Sequence, residues 1–185
     1  VSLRGAFPAY ILQPVEALPL EVWQLLYPVH LRDTVSPRAA ENGLDPSLVL
    51  GLIRQESAFN EKARSPAGAR GLMQILPSTG KTLARRAGIK RYSAARLYEA
   101  GTNVALGVRF LSSLLERFGG AELALAAYNA GPSRVDRWLK EYGGGDIPLF
   151  VEQIPFGETR GYVKQVMSNR ALYGRLAPSA SPGGE

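Results

Sequence analysis

Residues 48–76 read LVLGLIRQESAFNEKARSPAGARGLMQIL, and the spacing of side chains within this stretch decides the fold. Leu48, Leu52, Glu56 and Phe59 recur at i, i+4, i+8 and i+11, so they share one helical face, flanked by Val49 and Ile53. Glu56 therefore stands where the pattern asks for an apolar residue. Such a site disfavours the charged form and raises the pKa, which is what a general acid near neutral pH needs. On this face alone the simpler reading is a helix-end carboxylate that faces solvent or pairs with Arg54 or Lys62. The rest of the chain decides between the two.

Working outward, Asp45-Pro46 starts this central helix: Asp45 caps the free amides and Pro46 suits the first helical position. The helix runs to about Ser57 or Phe59. Residues 60–70, with Ser65-Pro66, form a loop, residues 71–75 a short helical piece, and Pro77 starts a helix ending near Gly88. Upstream, Leu20 to Leu26 is a short amphipathic helix closed by Pro28. The stretch from His30 to Asn42 is helical but broken or kinked near Pro37, and Gly43 caps its end.

Downstream, Ser93 caps a short turn through Tyr98, and Thr102 or Asn103 opens a long helix. Val104, Val108, Leu111, Leu115 and Phe118 form its apolar stripe, and Gly119 stops it. Residues 121–130 are small and apolar all round and so read as buried. Pro132 starts a helix to Tyr142, residues 143–145 are a glycine joint, and residues 147–156 are mostly loop or short turns. Residues 158–175 form the last helix, with Tyr162, Val163, Val166 and Met167 on its apolar side. No alternating strand pattern survives. The fold class is all-α: many short helices packed as one globule around a central helix. The domain spans residues 20–176, preceded by an extended arm over 1–19 and followed by a disordered tail over 177–185.

The 185 residues suffice for one domain with a real core, and 45% hydrophobic against 21% charged residues is the balance of a soluble globular protein. No apolar run approaches a membrane span, and no signal peptide is visible after Val1. The absence of cysteine excludes disulfides and thiolate metal sites. A single histidine, His30, rules out a multi-histidine metal site and disfavours Ser-His or Cys-His catalysis; it reads as a surface or packing residue. The net charge of +6 suits a polyanionic partner, whether nucleic acid, acidic membrane or acidic wall polymer. The densest basic run, Lys81, Arg85, Arg86, Lys90 and Arg91, reads as the solvated face of a helix. No nucleic-acid-binding motif accompanies it.

Four segments need joint explanation: Glu56-Ser57-Ala58-Phe59, residues 65–75 (SPAGARGLMQI), residues 127–132 (AYNAGP) and residues 154–160 (IPFGETR). In this order and spacing they resemble the soluble lytic transglycosylases, a peptidoglycan-cleaving family with a goose-lysozyme-like α fold. The match is best to the branch of periplasmic exo-acting enzymes. The resemblance covers Asp45 to Tyr173. It implies that Glu56 is the sole catalytic acid/base and that the Tyr128 hydroxyl orients its carboxylate; the other reading of Tyr128 is a packing residue. It implies substrate contacts for Ser65, Met73, Gln74, Asn129 and Glu158. Each has a structural alternative: a turn before Pro66 for Ser65, core for Met73, a helix C-cap for Asn129, and helix N-terminal capping for Glu158. Gln74, polar inside a hydrophobic run, favours the site. Leu76 departs from the methionine that relatives often carry there. The large helical superstructure of some members is expected to be absent.

What the resemblance implies for the chemistry can be argued independently. Glycosidic cleavage needs a proton on the leaving oxygen and a stabilised oxocarbenium-like centre. One acid suffices if the N-acetyl carbonyl of N-acetylmuramic acid attacks its own C1. The carboxylate then takes the C6 hydroxyl proton, and a 1,6-anhydro sugar forms without water. The resemblance implies no metal or organic cofactor. It implies peptidoglycan glycan strands as the partner rather than nucleic acid, other cell-wall enzymes as further candidate partners, a monomer, and a place in the cell envelope, periplasmic or exported. A hydrolytic muramidase on the same fold, or a non-catalytic wall-binding or scaffold domain, stays open as an alternative.

Overall fold

The structure, a computed structural model, describes residues 19–143 and 145–177. Except for Pro19 and Ala177, the expected arm over 1–19 and tail over 177–185 lie outside the described residues, as does Gly144 of the glycine joint. Among the described residues the elements are helical: α1 (Leu20–Leu26), α2 (Arg32–Glu41), α3 (Pro46–Ser57), α4 (Pro77–Arg86), a 3-10 turn (Ala94–Tyr98), α5 (Ala100–Phe118), α6 (Ala121–Ala130), α7 (Pro132–Tyr142), α8 (Ile147–Gln153) and α9 (Gly157–Arg175). Extended pairing is limited to two isolated bridges, Arg70 with Arg64 and with Ile75.

Helix α3 is the central element. The Asp45 carboxylate accepts from the Ser47 amide at 2.8 Å, and Pro46 occupies the first turn. Every residue from Ser47 to Ile53 is buried. The helix stops at Ser57 because Ala58 and Phe59 both turn left-handed, with φ of 49° and 67°. Phe59 therefore leaves the helical face it shares with Glu56 in sequence and packs its ring on His30 and Tyr173, at 5.7 and 6.2 Å between centroids.

Helix α9 crosses α3 at Gly51. A Cβ there would stand 2.9 Å from the Arg170 amide nitrogen and 3.1 Å from the Val166 carbonyl oxygen, so a hydrogen is what lets the backbones meet. The Asn169 amide donates to the Gly51 carbonyl at 3.2 Å, and Arg170 pairs with Asp45 at 2.8 Å. These contacts fix the register of α9 on α3. The apolar stripe of α5 is buried as expected at Val104, Val108 and Leu111, with Leu115 and Phe118 half-buried beside them. Gly119 closes α5 with φ of 75°.

Four local expectations are corrected. Helix α2 continues through Pro37: the missing amide leaves the Asp33 carbonyl without a helical donor, and both residues lie on the exposed side, where solvent can serve it. Helix α5 begins at Ala100, because Thr102 bonds the Glu99 carboxylate at 2.7 Å and Asn103 turns inward, so neither caps. Residues 71–75 are turns, since Gly71 and Gln74 have φ of 75° and 46°, and Arg70 pairs with Ile75 in both directions. Residues 147–153 form α8, with the Asp146 carboxylate accepting from the Leu149 amide at 3.0 Å and Pro148 in the first turn.

Replacing Gly51 with alanine should lower unfolding stability by about 1–3 kcal/mol in urea, because the added methyl must push two backbones apart. An unchanged or higher midpoint would show that the crossing has slack.

Candidate active site

The register set at Gly51 carries the end of α3 against the start of α9. There the Tyr162 hydroxyl donates to Glu56 Oε1 at 2.6 Å. Glu56 is largely buried, and its pKa is raised from 4.5 to about 7. Burial is the main cause; the Tyr162 bond opposes it by favouring the carboxylate, and the nearby charge of Glu158 adds to the rise. Burial also pushes the Tyr162 and Tyr128 hydroxyls well above their ordinary range, with the Glu56 charge adding to both, so each stays a neutral donor.

The Tyr128 hydroxyl does not donate to Glu56. It donates to the Met73 carbonyl at 2.7 Å. From the other side, Asn103, fully buried, accepts from the Met73 amide at 2.8 Å and donates to the Arg70 and Leu97 carbonyls at 2.9 and 2.7 Å. The strained turn at 71–75 is thereby clamped by two side chains from α5 and α6. The hydroxyl that reaches the Glu56 carboxylate is that of Tyr162.

The remaining candidates divide. Gln74 donates its side-chain amide to the Gly71 and Ala63 carbonyls at 2.8 and 3.2 Å, which leaves its oxygen free, and it lines a hollow of about 330 Å³ with Leu76, Phe110, Tyr128 and Asn129. Glu158, Phe156 and Thr159 line an adjoining hollow of about 410 Å³ that shares Asn129 and Arg134 with the first. The Asn129 carbonyl oxygen accepts from Thr159 at 2.7 Å, which leaves its amide hydrogens available. Asn129 does not end its helix; Gly131 takes that position. Met73 lines neither hollow: its side chain is fully buried in the core. Ser65 also lines neither; its hydroxyl oxygen accepts from the Ala69 amide at 3.1 Å within a turn.

The sequence reading missed Tyr162, assigned to the apolar side of the last helix, and Asn103. A signal for Tyr162 was available: it stands one helical turn after Glu158, so the two share a face.

The Transglycosylase SLT domain matches residues 33–151, and the Soluble lytic transglycosylase helical domain matches residues 153–180. The second match, which contains α9, qualifies the expectation that the large helical superstructure of some members is absent. The soluble lytic murein transglycosylase of Salmonella typhimurium is 41% identical over 150 residues, which is 80% of this chain and 23% of that protein. The Escherichia coli protein of the same description is 40% identical over 150 residues, with the same coverage. This chain thus spans about a quarter of the length of these relatives. Among solved structures, the 70 kDa soluble lytic transglycosylase of Escherichia coli aligns with a TM-score of 0.79 and 38% identity, covering 84% of this chain and 26% of that one. An inactive glutamate-to-glutamine variant of lytic transglycosylase Slt from Pseudomonas aeruginosa aligns with a TM-score of 0.81 and 37% identity, covering 97% and 30%.

The raised Glu56 pKa has a consequence for stability. Between 4.5 and about 7 the native state holds a proton that the unfolded chain has released, so stability falls as pH rises through this window. Glu56→Gln removes this loss. It should match the parent near pH 4 and exceed it by up to about 3 kcal/mol at pH 8 in chemical denaturation. A difference independent of pH would mean that the carboxyl is not desolvated.

Proposed function

Because this chain belongs to the transglycosylase SLT family, the soluble lytic transglycosylases, we propose that it cleaves the β-1,4 bond between N-acetylmuramic acid and N-acetylglucosamine in peptidoglycan and leaves a 1,6-anhydro-muramyl end. One observation carries the reading. A single carboxyl, Glu56, is largely buried, is half-protonated near neutral pH, is held by a neutral tyrosine donor, and interacts electrostatically with Glu158 and Tyr128, which line the two adjoining hollows.

In the first step protonated Glu56 gives its proton to the glycosidic oxygen, and N-acetylglucosamine leaves. The N-acetyl carbonyl of the muramic acid forms a bond to C1 as the glycosidic bond breaks. In the second step the Glu56 carboxylate takes the proton of the C6 hydroxyl. The C6 oxygen then closes onto C1 and displaces the carbonyl oxygen, and Glu56 ends protonated again. No water is consumed. The Tyr162 hydrogen bond favours the carboxylate and so eases the second step. Burial and Glu158 favour the acid and so ease the first. Asn129 and Gln74 offer free amide hydrogens and a free carbonyl oxygen to sugar hydroxyl and acetamido groups. Ser65 and Met73 act through the turns they brace. We place the activity in the cell envelope, where this substrate resides; among the described residues no helix is long and apolar enough to cross a membrane.

Mass spectrometry of products from purified peptidoglycan tests the reaction. Muropeptides ending in 1,6-anhydro-N-acetylmuramic acid are expected, and Glu56→Gln should lower their rate of release by at least ~10²–10⁴-fold. Reducing-end products, one water heavier, would instead establish a muramidase. The pH profile of kcat/KM provides a second test, since its alkaline limb reports the free-enzyme acid. Tyr162→Phe should move that limb to higher pH and Glu158→Gln to lower pH, because the first group favours the Glu56 carboxylate and the second disfavours it. Shifts of the same sign would contradict the assignment.

A further inference from the structure

The hollow lined by Gln74 and Tyr128 has neighbours beyond it. The 330 Å³ hollow shares Thr79, Phe110 and Pro132 with a third hollow of about 490 Å³ between α4 and α5. That one shares Ser78 and Thr82 with a fourth, of about 860 Å³, on the far side of α4. Ser78 and Thr82 are one turn apart on the crest of α4, and their small side chains keep the saddle between the two hollows low. Four hollows thus adjoin in series from Glu158, past Tyr128, to the far side of α4, with the exposed Ser78 and Thr82 between the last two.

The far end differs in charge from the rest. Lys81 and Arg85, one turn apart on α4, and Lys90, on the segment that follows it, converge on the fourth hollow, and no carboxylate among the described residues lines it. In the third hollow the Arg117 guanidinium is committed to Asp136 at 2.7 Å. Lys81, Arg85 and Lys90 are exposed, and none has an ion pair among the described residues. The wall opposite them is fixed. Tyr92 donates to the Pro77 carbonyl at 3.2 Å, and its hydroxyl fills the space above Gly80, where a Cβ would stand 2.3 Å from the oxygen. The Arg70 guanidinium donates to the Ala94 carbonyl at 2.9 Å and holds the end of the same segment.

We infer, on the basis of the transglycosylase reading above, that Lys81, Arg85 and Lys90 form a carboxylate-binding site for the acidic stem peptide of a glycan strand lying in the cleft. The reach is right. Lys81 stands about 3 Å along α4 from Thr79, which lines the hollow of Gln74 and Asn129. A stem of about four residues extends up to ~13 Å. The run read from sequence as a solvated helix face is in part the lining of a hollow with unpaired cations.

The test is a binding titration of the 185-residue chain with a soluble disaccharide-tetrapeptide, and with the same compound after amidation of its stem carboxylates. The acidic compound should bind roughly fivefold more tightly, with an advantage that shrinks as salt is added. The double variant Lys81→Glu/Arg85→Glu, at exposed positions, should fold with the parent's melting behaviour and lose that advantage. Equal binding of the two compounds, binding of neither, or an advantage that survives in the variant overturns the proposal. So does tighter binding of inorganic polyphosphate than of the acidic compound, which would assign the hollow to phosphates. The titration reads affinity without turnover. A chain that binds as expected but releases no anhydro products from the wall would refute the reaction and not this site.

Discussion

The close crossing of α3 and α9 at Gly51 is the contact on which the site depends. Two helices approach within backbone distance at one residue, and the Asn169 and Arg170 side chains lock the sliding coordinate there. Because the helices are rigid on either side, fixing their register at Gly51 also fixes how their far turns meet. Glu56 lies five residues beyond the crossing on one helix, and Tyr162 lies seven residues before Asn169 on the other. Their 2.6 Å hydrogen bond is thus inherited from the packing of the core. Tyr162 can be a stiff donor without a second polar partner to hold it.

The opposite wall is built on another principle. The turn at 71–75 has little regular structure to stabilise it, and its backbone groups would be costly if buried unpaired. Asn103 and Tyr128 serve those groups from two different helices. A polar side chain used this way is unavailable to substrate. The cleft is accordingly lined by residues with spare capacity, Gln74 and Asn129, while the fully committed Asn103 lies behind them. Tyr128 thus acts on the backbone of the turn rather than on Glu56.

The parts of this arrangement that were legible in the sequence are those set by neighbours along the chain. Asp45-Pro46 and the glycines at 43 and 119 fixed helix ends, and the period in α3 placed Glu56 among apolar residues. The same Asp-then-Pro chemistry preceded α8 at Asp146 and Pro148, but apolar residues too few to show a period masked it. Which of Tyr128 and Tyr162 reaches Glu56 was not legible. Each hydroxyl is one bond from its partner in space but 55 and 106 positions away in sequence, and both tyrosines sit equally well on apolar helical faces. The turn at 71–75 was misread as helical for a similar reason. Its left-handed residues are held by Asn103, thirty-three positions downstream of Arg70.

Glu56 is also the penultimate residue of α3, at the end where the unsatisfied carbonyls give the helix its partial negative charge. Each of the ordinary rules for improving a helix condemns it: the charge has the wrong sign for that terminus, the environment is apolar, and a carboxylate lies nearby at Glu158. A redesign guided by stability alone would therefore choose this position among its first, replacing the glutamate by a lysine at the helix end or by an apolar residue in the core pattern. It would return a sturdier protein without its buried carboxyl. In a chain of unfamiliar sequence on this fold, the position where the energetics of folding are worst served is the place to look for the acid.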